Sequence, residues 1–271
     1  MWEPGGAATA ADLRPDIPHP ARMYDYYLGG KDNFPADRAA AEKALAANPE
    51  FRSTARANRG FLTRAVRCVA DTGTDQFLDI GTGIPTAGNT HEIAQAADPG
   101  ARVVYVDNDP IVLSHARALM AGAGPGRTTV IQADLRRPAD LLDAVRAADL
   151  LDFSRPVGLV LAAVLHFLRD EDEPYRAVAT LLDALPSGSH LVLSHGTADF
   201  IPREIRDRVT GVYDKATAPL VGRSREEVRT FFDGLDLLTP GVVTVPLWRP
   251  DTAPAHGADR VSMYGAVARK P

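Results

Sequence analysis

Apolar residues recur at helical spacing over the first seventy positions, then switch to short continuous runs. Across Phe51–Ala70 the apolar face is Phe51, Ala55, Leu62, Ala65 and Val69, steps of four, seven, three and four that trace one side of a helix. Asn58 falls in the gap on that face. Two shorter helical segments precede it: Ala21–Leu28, stopped by Gly29-Gly30, and Pro35–Ala47, closed by Asn48-Pro49. After Gly73, runs rich in Val, Ile and Leu cover Gln76–Ile80, Arg102–Asp107, Thr128–Gln132, Val157–Leu161 and His190–Ser194. Between them lie helical stretches at Ala87–Ala97, Pro110–Ala121, Ala139–Ala147 and Glu173–Ala184. This alternation predicts βαβ units, and continuous apolar runs are expected of parallel strands covered on both faces. A helix at Arg225–Phe232 and two strands, Val242–Pro246 and Val261–Ala268, complete the pattern. The expected fold is an α/β sheet, mostly parallel, of seven strands, with helices on both faces and an N-terminal helical extension.

The same pattern divides the chain. Residues 1–20, rich in Ala, Gly and Pro, read as a loose tail. Residues 21–72 read as a helical cap and 73–271 as the sheet core. Within the core, 196–222 exceeds a usual strand–helix connection and reads as a lid. At 271 residues, 45% hydrophobic and 24% charged, the composition is that of a globular protein able to bury a full core. The longest apolar run, Val157–Leu168, is too short to span a bilayer, and the N-terminus with Asp12, Arg14 and Asp16 lacks the apolar stretch of a signal peptide. No membrane association is expected. One cysteine, Cys68, makes neither an internal disulfide nor a cysteine zinc site, which fits a reducing compartment such as the cytoplasm. A net charge of −5 and a pI near 5.8 argue against a broad nucleic-acid surface.

Chemistry concentrates at the strand ends. The first strand runs into Asp79-Ile80-Gly81-Thr82-Gly83-Ile84-Pro85, the second ends at Asp107 and the third leads into Asp134. Glycines between strand and helix let a ligand approach the backbone. An acid about twenty residues on is placed for ribose hydroxyls, and one after the third strand for an adenine amino group. All three lie at carboxyl ends of strands, where open α/β sheets bind ligands. The dinucleotide pattern G-x-G-x-x-G would need glycine at position 86, which is Thr86.

D-x-G-x-G followed by acids ending the next two strands resembles the class I S-adenosylmethionine-dependent methyltransferases, with their Rossmann-like sheet, over about Gln76–Ala268. A narrower likeness spans nearly the whole chain after residue 20. Tyr24-Asp25-Tyr26-Tyr27-Leu28-Gly29-Gly30-Lys31-Asp32-Asn33-Phe34, Ala57-Asn58-Arg59-Gly60-Phe61-Leu62, Phe77–Asn89 and Phe231-Phe232-Asp233-Gly234-Leu235 resemble the actinobacterial S-adenosyl methyltransferase family long catalogued as a domain of unknown function. That resemblance implies S-adenosyl-L-methionine as cofactor and leaves the acceptor open. It implies that backbone at Gly81, Thr82 and Gly83 lines the methionine part, with Asp79 near its amino group. Asp107 would hold the ribose, with Asn108 beside the adenine. Asp134 and Leu135 would face the adenine edge, and Ala162 and Ala163 would floor the site near the sulfonium. Pro85 stands where the common motif has its third glycine. It suits the first turn of a helix but removes an N–H donor.

The methionine carboxylate then needs another partner. Arg59 is the candidate, although the row Arg52, Arg56, Arg59 also reads as a solvated face. Asn58 is either a hydrogen-bonded core amide or a cofactor contact. Among the tyrosines before the glycine pair, Tyr24 together with Asn33 is placed in the site, with the others in the core. His166, just beyond the fourth strand, is the candidate general base; the alternative is a histidine satisfied by backbone. No His, Asp, Glu or Cys spacing points to a metal. The leading expectation is methyl transfer to a small-molecule acceptor. A nicotinamide oxidoreductase and a cofactor sensor without turnover are the alternatives. Neither the acceptor nor the oligomeric state is legible.

Overall fold

The computed structural model describes residues 14–85, 88–120 and 128–271. The predicted tail before residue 14, the start of the predicted Ala87–Ala97 helix and the last residue of the predicted Pro110–Ala121 helix lie outside the described residues. Helices α1 (Pro20–Leu28), α2 (Pro35–Ala47) and α3 (Phe51–Ala70) come first. Then follow β1 (Gln76–Ile80), α4 (Thr90–Ala97), β2 (Arg102–Asp107), α5 (Pro110–Met120), β3 (Thr128–Gln132) and α6 (Pro138–Ala147). Next are β4 (Gly158–Ala162), α7 (Pro174–Asp183), β5 (His190–Gly196), α8 (Arg203–Tyr213) and α9 (Arg225–Thr230). Strands β6 (Asp236–Leu237), β7 (Val243–Thr244) and β8 (Met263–Arg269) end the chain.

The sheet order is β3-β2-β1-β4-β5-β8-β6, with β7 also paired to β8. Strands β1 to β5 are mutually parallel and β8 is antiparallel. There are eight strands among the described residues, not the seven expected. The extra one arises at the edge. Leu237 pairs with Ala268, whereas Thr244 pairs with Tyr264, so β6 and β7 occupy successive parts of one edge of β8. Thr239-Pro240-Gly241 interrupts that edge, and a proline offers no N–H to a ladder. Pro246 likewise ends β7 early, and Val245–Leu247 turns away as a short 3-10 helix.

Alternation along β1 sorts side chains to two faces. Leu78 and Ile80 join a core with Leu141, Val145, Val178 and Leu181 of α6 and α7. Phe77 joins the opposite core with Phe61, Leu62, Val66 and Val69 of α3. Asp79 shares Phe77's face, which sets this carboxylate beneath α3 and α4. A third core lies off the sheet, where Met23, Tyr27, Ala41, Ala44 and Ala55 meet Val209 and Tyr213 of α8. Helix α3 therefore serves both regions: Ala55 belongs to the third core and Phe61 to Val69 to the sheet.

Candidate functional site

At the carboxyl ends of β1, β2 and β4 the glycine turn bends over the sheet. The Gly81 N–H donates to the Val106 carbonyl (2.8 Å). Gly81 (φ +75°) and Gly83 (φ +65°) both sit in the left-handed region. Their surroundings differ. A Cβ on Gly81 would come within 2.3 Å of Val164 Cγ2, so its smallness serves packing. A Cβ on Gly83 would meet nothing within 4 Å. Beside it, Asp107 accepts hydrogen bonds from the Gly83 N–H (3.0 Å) and the Asp109 N–H (2.9 Å). This acid thus joins the glycine turn to the end of β2. Burial pushes the Asp107 carboxyl up to about 6, against the pull of those N–H donors. Asp79 accepts from the Thr90 hydroxyl (2.6 Å), and burial raises its carboxyl to about 6 as well.

These groups open onto a cavity of about 490 Å³, a size typical of small-molecule sites. Of the residues singled out in the sequence, Asp79, Gly81, Thr82, Gly83, Asp107, Asn108, Asp134, Leu135, Ala162 and Ala163 line it, as do Tyr24, Asn58 and Arg59. Tyr24, on α1, donates to the Ala55 carbonyl (3.1 Å) and accepts from Asn58 Nδ2 (3.0 Å). Asn58 Oδ1 accepts from Ser194 Oγ (2.6 Å). The Ala163 N–H donates to that same Oγ (3.0 Å), and Ala163 has φ +56°. A continuous polar chain thus runs from α1 through α3 to the turn after β4. Arg59 Nη2 donates to the Gly88 carbonyl (2.7 Å), and its charge opposes the rise of the Asp79 carboxyl. Asp134 is clamped by Arg136, whose Nη2 lies 2.5 Å from Oδ2, and its carboxyl is held below the usual range by hydrogen bonds from Arg136 despite partial burial.

Two residues placed in the site by sequence are not on this cavity's wall. Asn33 is absent from the cavity wall. Its Nδ2 donates to Asp25 (2.7 Å) and to the Gly30 carbonyl (3.2 Å), so the turn after α1 folds around the buried Asp25. His166 also lies outside this cavity and lines a smaller one beside it. Its Nδ1 accepts from the Gly196 N–H (3.0 Å), and burial lowers it to about 3. An imidazole that is neutral and accepting through Nδ1 carries its proton on Nε2. It is a backbone-satisfied core histidine without the free lone pair of a base. Pro85 is not in the first turn of a helix either, because α4 begins at Thr90. Glu92 accepts from the Asn89 and Gly88 N–H groups (2.8 and 2.7 Å) and sets that start.

Some walls carry no motif. His19 and Pro20 at the start of α1 line the cavity, as do Phe167–Arg169, Arg136 and the stretch around Tyr213–Pro219. His19 caps α1 through Nδ1, which accepts from the Ala21 N–H (3.2 Å) and lies 3.3 Å from Asp109 Oδ2. Arg22, fully buried, lies 3.3 Å from Asp37 and 3.9 Å from Asp109. The cap is therefore pinned to the turn that follows Asp107. His19-Pro20 was readable as a helix start, since proline favours the first helical position. Arg136 and the segment after Tyr213 carry no periodic signal. Among the described residues no group of three or more His, Cys, Asp or Glu is placed to hold a metal, and no helix is long and apolar enough to cross a membrane.

The buried carboxylates of Asp79 and Asp107, an open backbone at Gly83 and a cavity of this size fit S-adenosylmethionine. The comparisons with known proteins agree. Residues 6–271 match the family described as S-adenosyl methyltransferase. A crystal structure of a DUF574-family protein from Streptomyces avermitilis is 47% identical, with 96% of this chain and 100% of that one covered and a TM-score of 0.90. A Thermobifida fusca protein assigned to the methyltransferases is 39% identical over 95% of this chain and 97% of that one, with a TM-score of 0.88. The N-methyltransferase NodS from Bradyrhizobium japonicum, solved with S-adenosyl-L-homocysteine, shares the fold at 16% identity, with 92% and 99% covered and a TM-score of 0.51. Among curated proteins none matches. The sheet order, the acid–glycine series at its carboxyl ends and the match along nearly the whole chain set the nicotinamide reading aside: the chain belongs to the S-adenosyl methyltransferase family and uses S-adenosylmethionine as its cofactor.

Proposed function

We propose that the chain methylates a small-molecule acceptor in the cytoplasm, with the cofactor held by the residues around the glycine turn. Bound S-adenosylmethionine supplies a methyl carbon made electrophilic by its sulfonium. Asp107 accepts from the ribose hydroxyls while keeping Gly83 in place. Asp79 faces the amino group, with Thr90 fixing the carboxylate. Arg59, beside the glycine turn, takes the carboxylate that Pro85 leaves short of a donor. Asn108, Asp134 and Leu135 border the adenine, and Ala162 and Ala163 form the floor. Tyr24 and Asn58 hold the Ala163 turn through Ser194. The cap and the 196–222 lid exclude water, so the main contribution to rate is holding donor and acceptor in attack geometry.

The observation that supports this reading best is the convergence of Asp79, Gly83 and Asp107 on one cavity of about 490 Å³. A lone cysteine supports the cytoplasmic location. The test is incubation of the purified protein with methyl-labelled cofactor and fractionated host metabolites, alongside calorimetry with S-adenosyl-L-homocysteine. Labelled product in a low-molecular-weight fraction is expected. Tight homocysteine-adduct binding without any labelled product would favour a sensor, and no binding would remove the reading altogether.

A further inference from the structure

A second, smaller cavity of about 90 Å³ adjoins the first. The two share Pro20, Tyr24, Phe167 and Tyr213 as walls. At roughly 10–15 Å³ per water-sized group, the smaller one holds about six to nine such groups, the size of one substituted six-membered ring. Its walls are aromatic. Tyr27 stacks on Phe51 (centroids 5.2 Å apart), Phe51 meets Tyr213 at 6.4 Å, and Tyr213 stacks with Phe167 at 6.1 Å. A flat ring matches such walls through offset stacking.

Charge sets the two cavities apart. The larger is lined by six acids, Asp79, Asp107, Asp134, Glu171, Asp172 and Asp214, against three arginines, an excess suited to the cationic sulfonium and ammonium. The smaller has no acidic residue in its lining, and its histidine, His166, is the one whose Nδ1 is engaged by the Gly196 N–H. Its sole charged side chain is Arg206, exposed at the rim and making no ion pair among the described residues. An ammonium ligand finds no counter-ion there, whereas a carboxylate does. The buried Ser262 Oγ, also in this lining, has no hydrogen-bond partner among the described residues. Helix α8 supplies a ruler. Arg206, Val209, Thr210 and Tyr213 follow helical spacing and all line the cavity. Arg206 and Tyr213 are thus roughly 10 Å apart along the axis. Tyr213 marks the wall shared with the cofactor cavity, and Arg206 marks the far end.

We infer that this cavity takes the methyl acceptor, and that the acceptor is a single-ring aromatic acid with a hydroxyl or amino group at the end of the ring opposite its carboxylate. The inference rests on the methyltransferase reading above. The ring lies among Phe51, Phe167 and Tyr213, the carboxylate reaches Arg206, and the nucleophilic heteroatom points to the shared wall. In the transfer that heteroatom bonds to the methyl carbon. The carbon–sulfur bond breaks with its electron pair left on sulfur, and the proton of the hydroxyl or amino group is given up to bulk water outside the closed site.

The test is binding, measured by calorimetry with 4-hydroxybenzoate and with benzylamine, a cation of similar size, in the presence of S-adenosyl-L-homocysteine. The expected result is binding of 4-hydroxybenzoate and none of benzylamine. Arg206→Gln should weaken 4-hydroxybenzoate about fivefold, the upper range for an exposed ion pair. Ile201→Trp, which fills the small cavity alone, should abolish it. Both variants should keep wild-type affinity for S-adenosyl-L-homocysteine. Equal binding of the two ring compounds, no binding of 4-hydroxybenzoate, or indifference to both substitutions overturns the acceptor assignment while the cofactor reading stands. Failure of the wild type to bind S-adenosyl-L-homocysteine overturns both.

Discussion

Asn58 on α3 accepts a hydrogen bond from Ser194 on β5 at 2.6 Å, and its amide nitrogen donates to Tyr24 on α1 at 3.0 Å. One buried side chain thereby links the cap, the sheet and the turn at Ala163. Asn58→Leu leaves the Ser194 and Tyr24 hydroxyls short of partners, at a cost of about 1–3 kcal/mol. A lowered melting temperature and weaker S-adenosyl-L-homocysteine binding are expected together. Full affinity in the variant would detach Asn58 from the site.

Asp107→Ala removes the acceptor proposed for the ribose hydroxyls, an interaction of about 1.5–3 kcal/mol. Affinity for S-adenosyl-L-homocysteine should fall about tenfold or more. Calorimetry returning the wild-type value would refute the assignment.

Acidity separates the two states of the same carboxylates. Folding raises Asp79 and Asp107 from the usual 3.8 to about 6. Between those values the folded chain binds more protons than the unfolded one, so both groups cost stability as pH rises through that window. Asp107→Asn has one acceptor for the two N–H donors of Gly83 and Asp109 and so starts with a loss. Its melting temperature relative to wild type should nonetheless rise between pH 4 and pH 7.5 in the absence of ligand. Ribose hydroxyls and an ammonium favour the ionised carboxylates, so S-adenosyl-L-homocysteine should bind more weakly at pH 5 than at pH 7.5. A pH-independent affinity would show that neither group faces the ligand.

Closure of the site should appear as slower amide exchange when S-adenosyl-L-homocysteine is added. Residues 19–28 and 213–219 are expected to slow together. They are joined by the Thr217 N–H, which donates to the Pro18 carbonyl (2.9 Å), and by the Tyr27–Tyr213 hydroxyl pair (3.1 Å). Slowing of one segment without the other would separate cap from lid.

The parts of this architecture that depend on local sequence were legible in it. Strands β1 to β5 are short runs rich in Val, Ile and Leu, and Asp79, Gly81, Gly83 and Asp107 sit at strand ends that those runs define. Elements set by two or three residues were not. Strand β6 is two residues long and exists because β8 offers it an edge. The start of α4 depends on Glu92 reaching back to Asn89, a capping pattern that an apolar count passes over. His166 and Asn33 show the other limit. A polar residue near a motif reads as chemistry, and only the fold reveals that Gly196 and Asp25 have already engaged it. Tyr213 and Phe167 became cavity walls through packing between segments far apart in the chain.

That distant packing bears on how the protein is made. Met23, Tyr27 and Ala55 share a core with Val209 and Tyr213, and the paired tyrosines are 186 positions apart. A ribosome adding roughly 5–20 residues per second needs about 10–40 s to cover that separation. The cap helices therefore emerge first yet complete their burial only after α8 has been translated. During that interval the apolar faces of α1 and α2 are exposed to chaperones and to neighbouring nascent chains, and the cofactor cavity has no roof.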